Sequence, residues 1–179
     1  MTELLKGDSS KQQAFLKLYE PIHENFVRFC QARVGDTELA KDLINDTILI
    51  AFEKFESIRN YNAFLYFLFG IARRLLSNSR RRNKFWGEYD ETTAERYESA
   101  VESPDSHTDA SFLYQALDKL PEEQKEALIL FEISGFSLKE IQEIQQGSLS
   151  AVKARIARGR RKLADLLRDK ETEIFVKAG

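Results

Sequence analysis

The chain has 179 residues and a formal net charge of −2, with 42% hydrophobic and 31% charged residues, a globular balance that excludes a disordered chain. Its 8 glycines and 3 prolines are too few turn residues for a β-sandwich or barrel, so the fold expected is all-α. One cysteine, Cys30, excludes an internal disulfide and a cysteine-built zinc cluster, and the two histidines, His23 and His107, sit in no HExxH-type pattern, so no metal or other cofactor is expected.

The opening "MTELLKGDSSKQQAF" has no apolar core of the kind a signal peptide needs. Residues 11–34 then place Phe15, Leu18, Tyr19, Ile22, Phe26, Phe29, Cys30 and Val34 at helical spacing, which predicts one helix closed by Gly35. Asp36 is an N-cap with Glu38 in the following turn, opening a second helix over about 37–56. Its apolar face is Leu39, Ala40, Leu43, Ile44, Ile48, Ala51, Phe52 and Phe55. Asp42, Asn45, Asp46, Leu49 and Glu53 fall on the other side.

After "SIRNYN", with Asn60 or Asn62 as cap, a third helix is predicted over 62–84. Phe64, Phe67, Leu68, Ile71 and Leu75 suit a core face, whereas Tyr66 and Phe69 point elsewhere and are expected to be exposed. The longest apolar run, 63–72, spans about 15 Å as a helix, short of the roughly 20 residues a bilayer needs. No membrane insertion is expected, and the expected location is the cytoplasm. The same helix continues into a run of six cations, Arg73, Arg74, Arg80, Arg81, Arg82 and Lys84, in an otherwise slightly acidic chain.

Residues 87–118 carry nine acids against one cation, Arg96, and "ESPDSHTDAS" reads as linker. The expected organisation is two small helical domains, 1–86 and 111–179, joined by a flexible acidic linker, 87–110. That acidic stretch either keeps the chain in solution or mimics nucleic acid against a basic surface. The last segment places Pro121 at the start of a helix, then a capping-box spacing from Ser137 to Glu140 before Leu138, Ile141 and Ile144. A turn at Gln145, Gln146 and Gly147 leads into a final helix to about 168, with Val152, Ile156, Gly159, Leu163 and Leu166 on one face. A short helix, a glycine-bearing turn and a longer basic helix form a helix-turn-helix.

Both basic helices are candidate nucleic-acid contacts. On the final helix, Ser150, Lys153, Ala154, Ala157, Arg158 and Arg161, flanked by Arg155, oppose the core face. Small residues let such a helix approach base edges while cations reach phosphates. On the third helix and the loop before it, Arg59, Asn60, Tyr61, Tyr66, Phe69, Arg73, Arg74, Asn78, Arg80 and Arg81 mix aromatics with cations, a combination that stacks unpaired bases and tracks a backbone. The bland alternative is a solvated charged face for the final helix, and a core segment with a soluble end for the third.

The stretches "YEPIHENFVRFCQARVGDTELAKDLINDTILIAFEKF" and "FLYFLFGIARRLLSNSRRR" resemble region two of the extracytoplasmic-function bacterial sigma factors. "ALDKLPEEQKEALILFEISGFSLKEIQEI" and "VKARIARGRRKLADLL" resemble their region four. The resemblance implies a non-enzymatic protein with no small-molecule substrate, which binds core RNA polymerase, directs it to promoter DNA and is restrained by an anti-sigma factor. It assigns reading of the minus-ten element to the third helix, reading of the minus-thirty-five element to the final helix, and polymerase contact to Asp42, Asn45, Asp46 and Glu53. Gln145, Gln146 and Gly147 depart from the family's apolar–glycine–apolar turn. A polar residue at such a buried position needs a partner, so the turn is expected to be remodelled or covered by another surface. Two other classes stay open on the residues: a self-sufficient helix-turn-helix repressor, and a sigma-like module that titrates a regulator.

Overall fold

The computed structural model describes residues 2–55, 58, 60–85 and 112–178, and the side chains among them of 10–55, 58, 60–78 and 112–168. All regular structure among the described residues is helical. The linker 87–110 and Arg59 lie outside the described residues, as do the side chains of Arg80 and Arg81.

The single helix predicted over 11–34 is two. Helix α1 (Thr2–Tyr19) ends at a one-turn 3-10 segment, Glu20–Ile22, and α2 (His23–Val34) follows. Pro21 sits in that turn, and a residue without a backbone N–H cannot continue the i→i−4 ladder. Gly35 closes α2 in the left-handed region at φ 68°, its N–H donating to the Gln31 carbonyl. Asp36 then caps α3 (Thr37–Glu53), its side chain accepting from the Leu39 N–H at 2.8 Å. Helix α4 (Tyr61–Phe85) is capped by Asn60, whose side-chain oxygen accepts from the Ala63 N–H at 2.9 Å.

The second half starts with α5 (112–118) and α6 (Glu122–Leu128), the latter running on as a π turn, Ile129–Ile133. The wider turn is closed by Ser134, whose N–H and hydroxyl both donate to the Ile129 carbonyl. Ser137 and Glu140 form the predicted capping box of α7 (Leu138–Gln145). Gln146 takes the left-handed conformation at φ 49°, and α8 (Leu149–Ala178) follows, longer than the predicted end near 168. Val152, Ile156 and Gly159 are buried as expected. A Cβ at Gly159 would meet the Leu128 side chain at 2.9 Å, so glycine there is what lets α6 and α8 pack closely.

The two halves share one continuous core. Phe26, Phe29, Phe64, Leu68 and Phe69 from the first join Phe136, Ile141 and Ile144 from the second. Phe69 stands edge-on to Phe29, Phe26 and, across the boundary, Phe136, at centroid distances of 4.8, 5.3 and 5.3 Å. The expectation that Phe69 is exposed is therefore overturned: its exposure is 0%. Helix α4 is covered on two sides, by α3 and by α7. Its buried set, Phe64, Leu65, Leu68, Phe69, Ala72 and Leu76, is wider than the predicted stripe, and Phe67, Ile71 and Leu75 are only half-buried.

Candidate nucleic-acid and polymerase interfaces

Helix α8 turns two different faces to its surroundings. Val152, Ile156 and Gly159 go inward, and Ser150, Lys153, Ala157, Arg158 and Arg161 are exposed, with Ala154 half-buried beside them. Ala151, Ala154 and Arg158 border a shallow depression of about 370 Å³ shared with Pro121 and Gln124. Arg155 differs from its neighbours. Its guanidinium pairs with Glu123 at 2.9 Å and donates to the Gln145 side-chain oxygen at 3.2 Å. It is a brace within the helix-turn-helix rather than a free cation. Arg160 likewise pairs with Glu132 at 2.5 Å and lies over the Phe131 ring.

The departure at the turn finds its explanation here. Gln145 Nε2 donates to the Glu123 carbonyl at 3.1 Å and to Glu126 Oε2 at 3.0 Å, while its oxygen accepts from Arg155. The polar side chain is fully used, so a normally apolar position tolerates it. At Gly147 a Cβ would press on Arg155 Nη1 at 3.0 Å, which ties the glycine to the same brace.

On α4 the sequence-predicted set divides. Tyr66, Arg74 and Asn78 are exposed, as is Asn60, whose side chain serves the helix cap. Tyr61, Phe69 and Arg73 face the second half of the chain. Tyr61 donates its hydroxyl proton to Glu140 at 2.7 Å. Arg73 donates to the Ile144 carbonyl, and its Nε lies 3.3 Å from Glu126 Oε1, close enough for an ion pair but not aligned as a hydrogen bond. Burial, then the Glu140 contact, pushes the Tyr61 phenol up. Burial alone would raise Glu140 as well, but hydrogen bonds from Tyr61 and Ser137 outweigh it and hold the carboxyl below its ordinary value.

Helix α3 presents Asp42, Asn45, Asp46 and Glu53, all exposed. Leu39 and Leu49 are exposed beside them, at 45% and 57%, although Leu39 was expected on the buried face. Leu39, Asp42 and Asp46 line a groove of about 390 Å³ with Val34, Leu43, Leu75, Leu76 and Asn78. Apolar side chains flanked by carboxylates, on a helix face open to solvent, form a surface suited to a protein partner.

Residues 12–85 match the family described as Sigma-70 region 2, and residues 113–163 match Sigma-70, region 4. An ECF RNA polymerase sigma factor from Rhodopseudomonas palustris, EcfG, is 34% identical over 134 residues, covering 74% of each chain. The chain belongs to the ECF RNA polymerase sigma factors. Two further relatives agree. SigE of Mycolicibacterium smegmatis is 31% identical across 93% of this chain and 66% of its own length, and SigW of Bacillus subtilis is 26% identical across 93% and 94%. The fold is shared with the sigma factor RpoE, solved in complex with the anti-sigma factor NepR from Bartonella quintana (TM-score 0.62, 23% identity, 88% of this chain and 96% of that one). It is also shared with CnrH, solved in complex with the cytosolic domain of CnrY (TM-score 0.63, 19% identity, 92% and 94%).

The protein is an alternative sigma factor for transcription initiation, built from a region-two and a region-four helical domain, and its family consists of initiation factors rather than enzymes. It works with core RNA polymerase on promoter DNA. Nothing in these comparisons favours a self-sufficient repressor or a titrating module. Among the described residues, no helix is long and apolar enough to cross a membrane. Sequence reasoning missed Glu126, Glu140 and Glu123 as partners of the basic residues. The one signal available was Gln145, a polar residue at an apolar position, which announced that something polar had to meet it.

Proposed function

We propose that this cytoplasmic sigma factor engages its targets through three faces. The outer face of α8, with Ser150, Lys153, Ala154, Ala157, Arg158 and Arg161, reads the minus-thirty-five element. Helix α4, with Tyr61, Tyr66, Arg73, Arg74, Asn78, Arg80 and Arg81 and the preceding Arg59 and Asn60, captures the minus-ten element. Helix α3 docks on polymerase through Asp42, Asn45, Asp46 and Glu53, with Leu39 and Leu49 supplying the apolar contact. The domain limits are 1–86 and 111–179, with 87–110 as the connector, and polymerase alone supplies the covalent chemistry. The observation that carries this reading is the division of α8 into a buried apolar face and an open face where small residues alternate with Lys153, Arg158 and Arg161.

The homologous folds solved with NepR and with CnrY support an anti-sigma partner for this chain too. Run-off transcription with purified core polymerase on a genomic fragment library tests the whole reading. New start sites preceded by two spaced elements are expected. Tight binding to duplex DNA without polymerase, or polymerase binding with no new start site, would overturn it.

A further inference from the structure

Three departures at the turn between α7 and α8 lead to one side chain, Arg155. At Gln145 an amide replaces an apolar residue. Its oxygen accepts from Arg155 Nη1 at 3.2 Å, and its nitrogen donates to the Glu123 carbonyl at 3.1 Å and to Glu126 Oε2 at 3.0 Å. Gln146 stands in the place of the turn glycine and holds a left-handed φ of 49°, a conformation open to glycine at no steric cost but strained for glutamine. The glycine comes one position later. Gly147 has no positive φ, but a Cβ there would lie 3.0 Å from Arg155 Nη1. The turn thus accepts strain at Gln146 and keeps its glycine where the guanidinium requires room. Arg155 Nε and Nη2 each lie 2.9 Å from Glu123 Oε2, so with Nη1 on Gln145 all three guanidinium nitrogens are engaged. Lys153, Arg158 and Arg161 on the same helix are exposed. Glu123 belongs to α6, Gln145 to α7 and Arg155 to α8, so one fork ties the helix-turn-helix to the helix before it.

We propose that Arg155 is a positioning residue for minus-thirty-five reading: through Glu123 and Gln145 it fixes the pose of α8, and it makes no contact with the phosphate backbone itself. This rests on the assignment of the outer face of α8 to the minus-thirty-five element. A base-reading set of side chains has to be held to within about 0.5 Å, and hydrogen bonds to base edges weaken steeply off line. How α8 lies on α6 and α7 therefore decides which base edges Arg158 and its neighbours meet. A planar guanidinium holds two partners in fixed directions, which an ammonium, a point charge on a flexible stem, does not. A phosphate could recruit Arg155 only by displacing the Glu123 carboxylate, and that exchange would untie α8 from α6.

The test uses the full chain with core polymerase, on a promoter recovered from wild-type run-off transcription and on the same promoter with its minus-thirty-five element substituted. The readout is the ratio of the two run-off yields. Both yields come from one preparation, so a loss of stability alone leaves the ratio where it was. Arg155→Met and Arg155→Lys are each expected to lower it about tenfold, the scale of one lost base-reading contact. Gln145→Leu removes the α7 arm, leaves the charge, and is expected to lower the ratio as well. The slope of promoter affinity against salt is expected to keep its wild-type value in all three. A slope smaller by about one in Arg155→Met, or a wild-type ratio in Arg155→Lys, marks a phosphate contact and overturns the proposal. So does an unchanged ratio in the variants that retain helical circular dichroism. Gln145→Leu decides alone if the Arg155 variants fail to fold, because it restores an apolar residue to the turn. Arg158→Ala judges the reading of α8 separately: a ratio lost there and kept in the Arg155 and Gln145 variants sinks the positioning role alone, and a ratio that none of the variants changes sinks both.

Discussion

The two basic helices differ in what covers them. Helix α8 buries one apolar stripe and leaves Lys153, Arg158 and Arg161 in solvent. Helix α4 is wrapped on two sides, and Arg73 and Phe69, part of its nucleic-acid candidate set, are spent on contacts with region four. Similar composition therefore gives different availability. A cation is free only where no carboxylate or carbonyl of the same chain reaches it. Glu126 and Ile144 reach Arg73, Glu123 reaches Arg155, and both are withdrawn from the immediate surface.

The largest expected effect sets a sealed residue against an open one. Phe69→Ala removes a fully buried ring between the two halves and is expected to cost about 3–5 kcal/mol of stability, read by denaturant unfolding. Arg158→Ala is expected to leave unfolding unchanged. It should weaken initiation at promoters that depend on the upstream element by about 1–3 kcal/mol, the range for one base-reading arginine, with polymerase binding unaffected. Equal loss of both activities would contradict the assignment of that face.

Smaller effects sharpen the same contrast. Ser137→Ala removes the cap of α7 and should cost about 1 kcal/mol; thermal melting with the capping-box partner Glu140 intact checks it. Glu140 gives a pH dependence. Its carboxyl is held below the ordinary 4.5 in the folded chain, so it adds stability at neutral pH, and that contribution is lost as pH falls below 4.5 and the group protonates. Melting temperature in acid should therefore fall more steeply for the wild type than for Glu140→Gln.

Helix positions were largely legible in the sequence because they depend on local chemistry: the Asp36 cap, the Ser137–Glu140 box and the buried stripe of α8 stand where spacing puts them. The break at Glu20–Ile22 was legible too, in Pro21, yet apolar periodicity running through it masked the interruption. The fate of Phe69, Arg73 and Arg155 was not legible. Their partners Phe136, Glu126 and Glu123 lie 67, 53 and 32 positions away along the chain, and no local pattern encodes a contact between two domains.

The account turns on the outer face of α8 meeting promoter DNA. A cleavage reagent tethered at the exposed Lys153 would report directly which bases lie beside that face when the chain is bound to core polymerase at a promoter. Cuts confined to the minus-thirty-five element are the predicted result. Cuts elsewhere, or none, would contradict it.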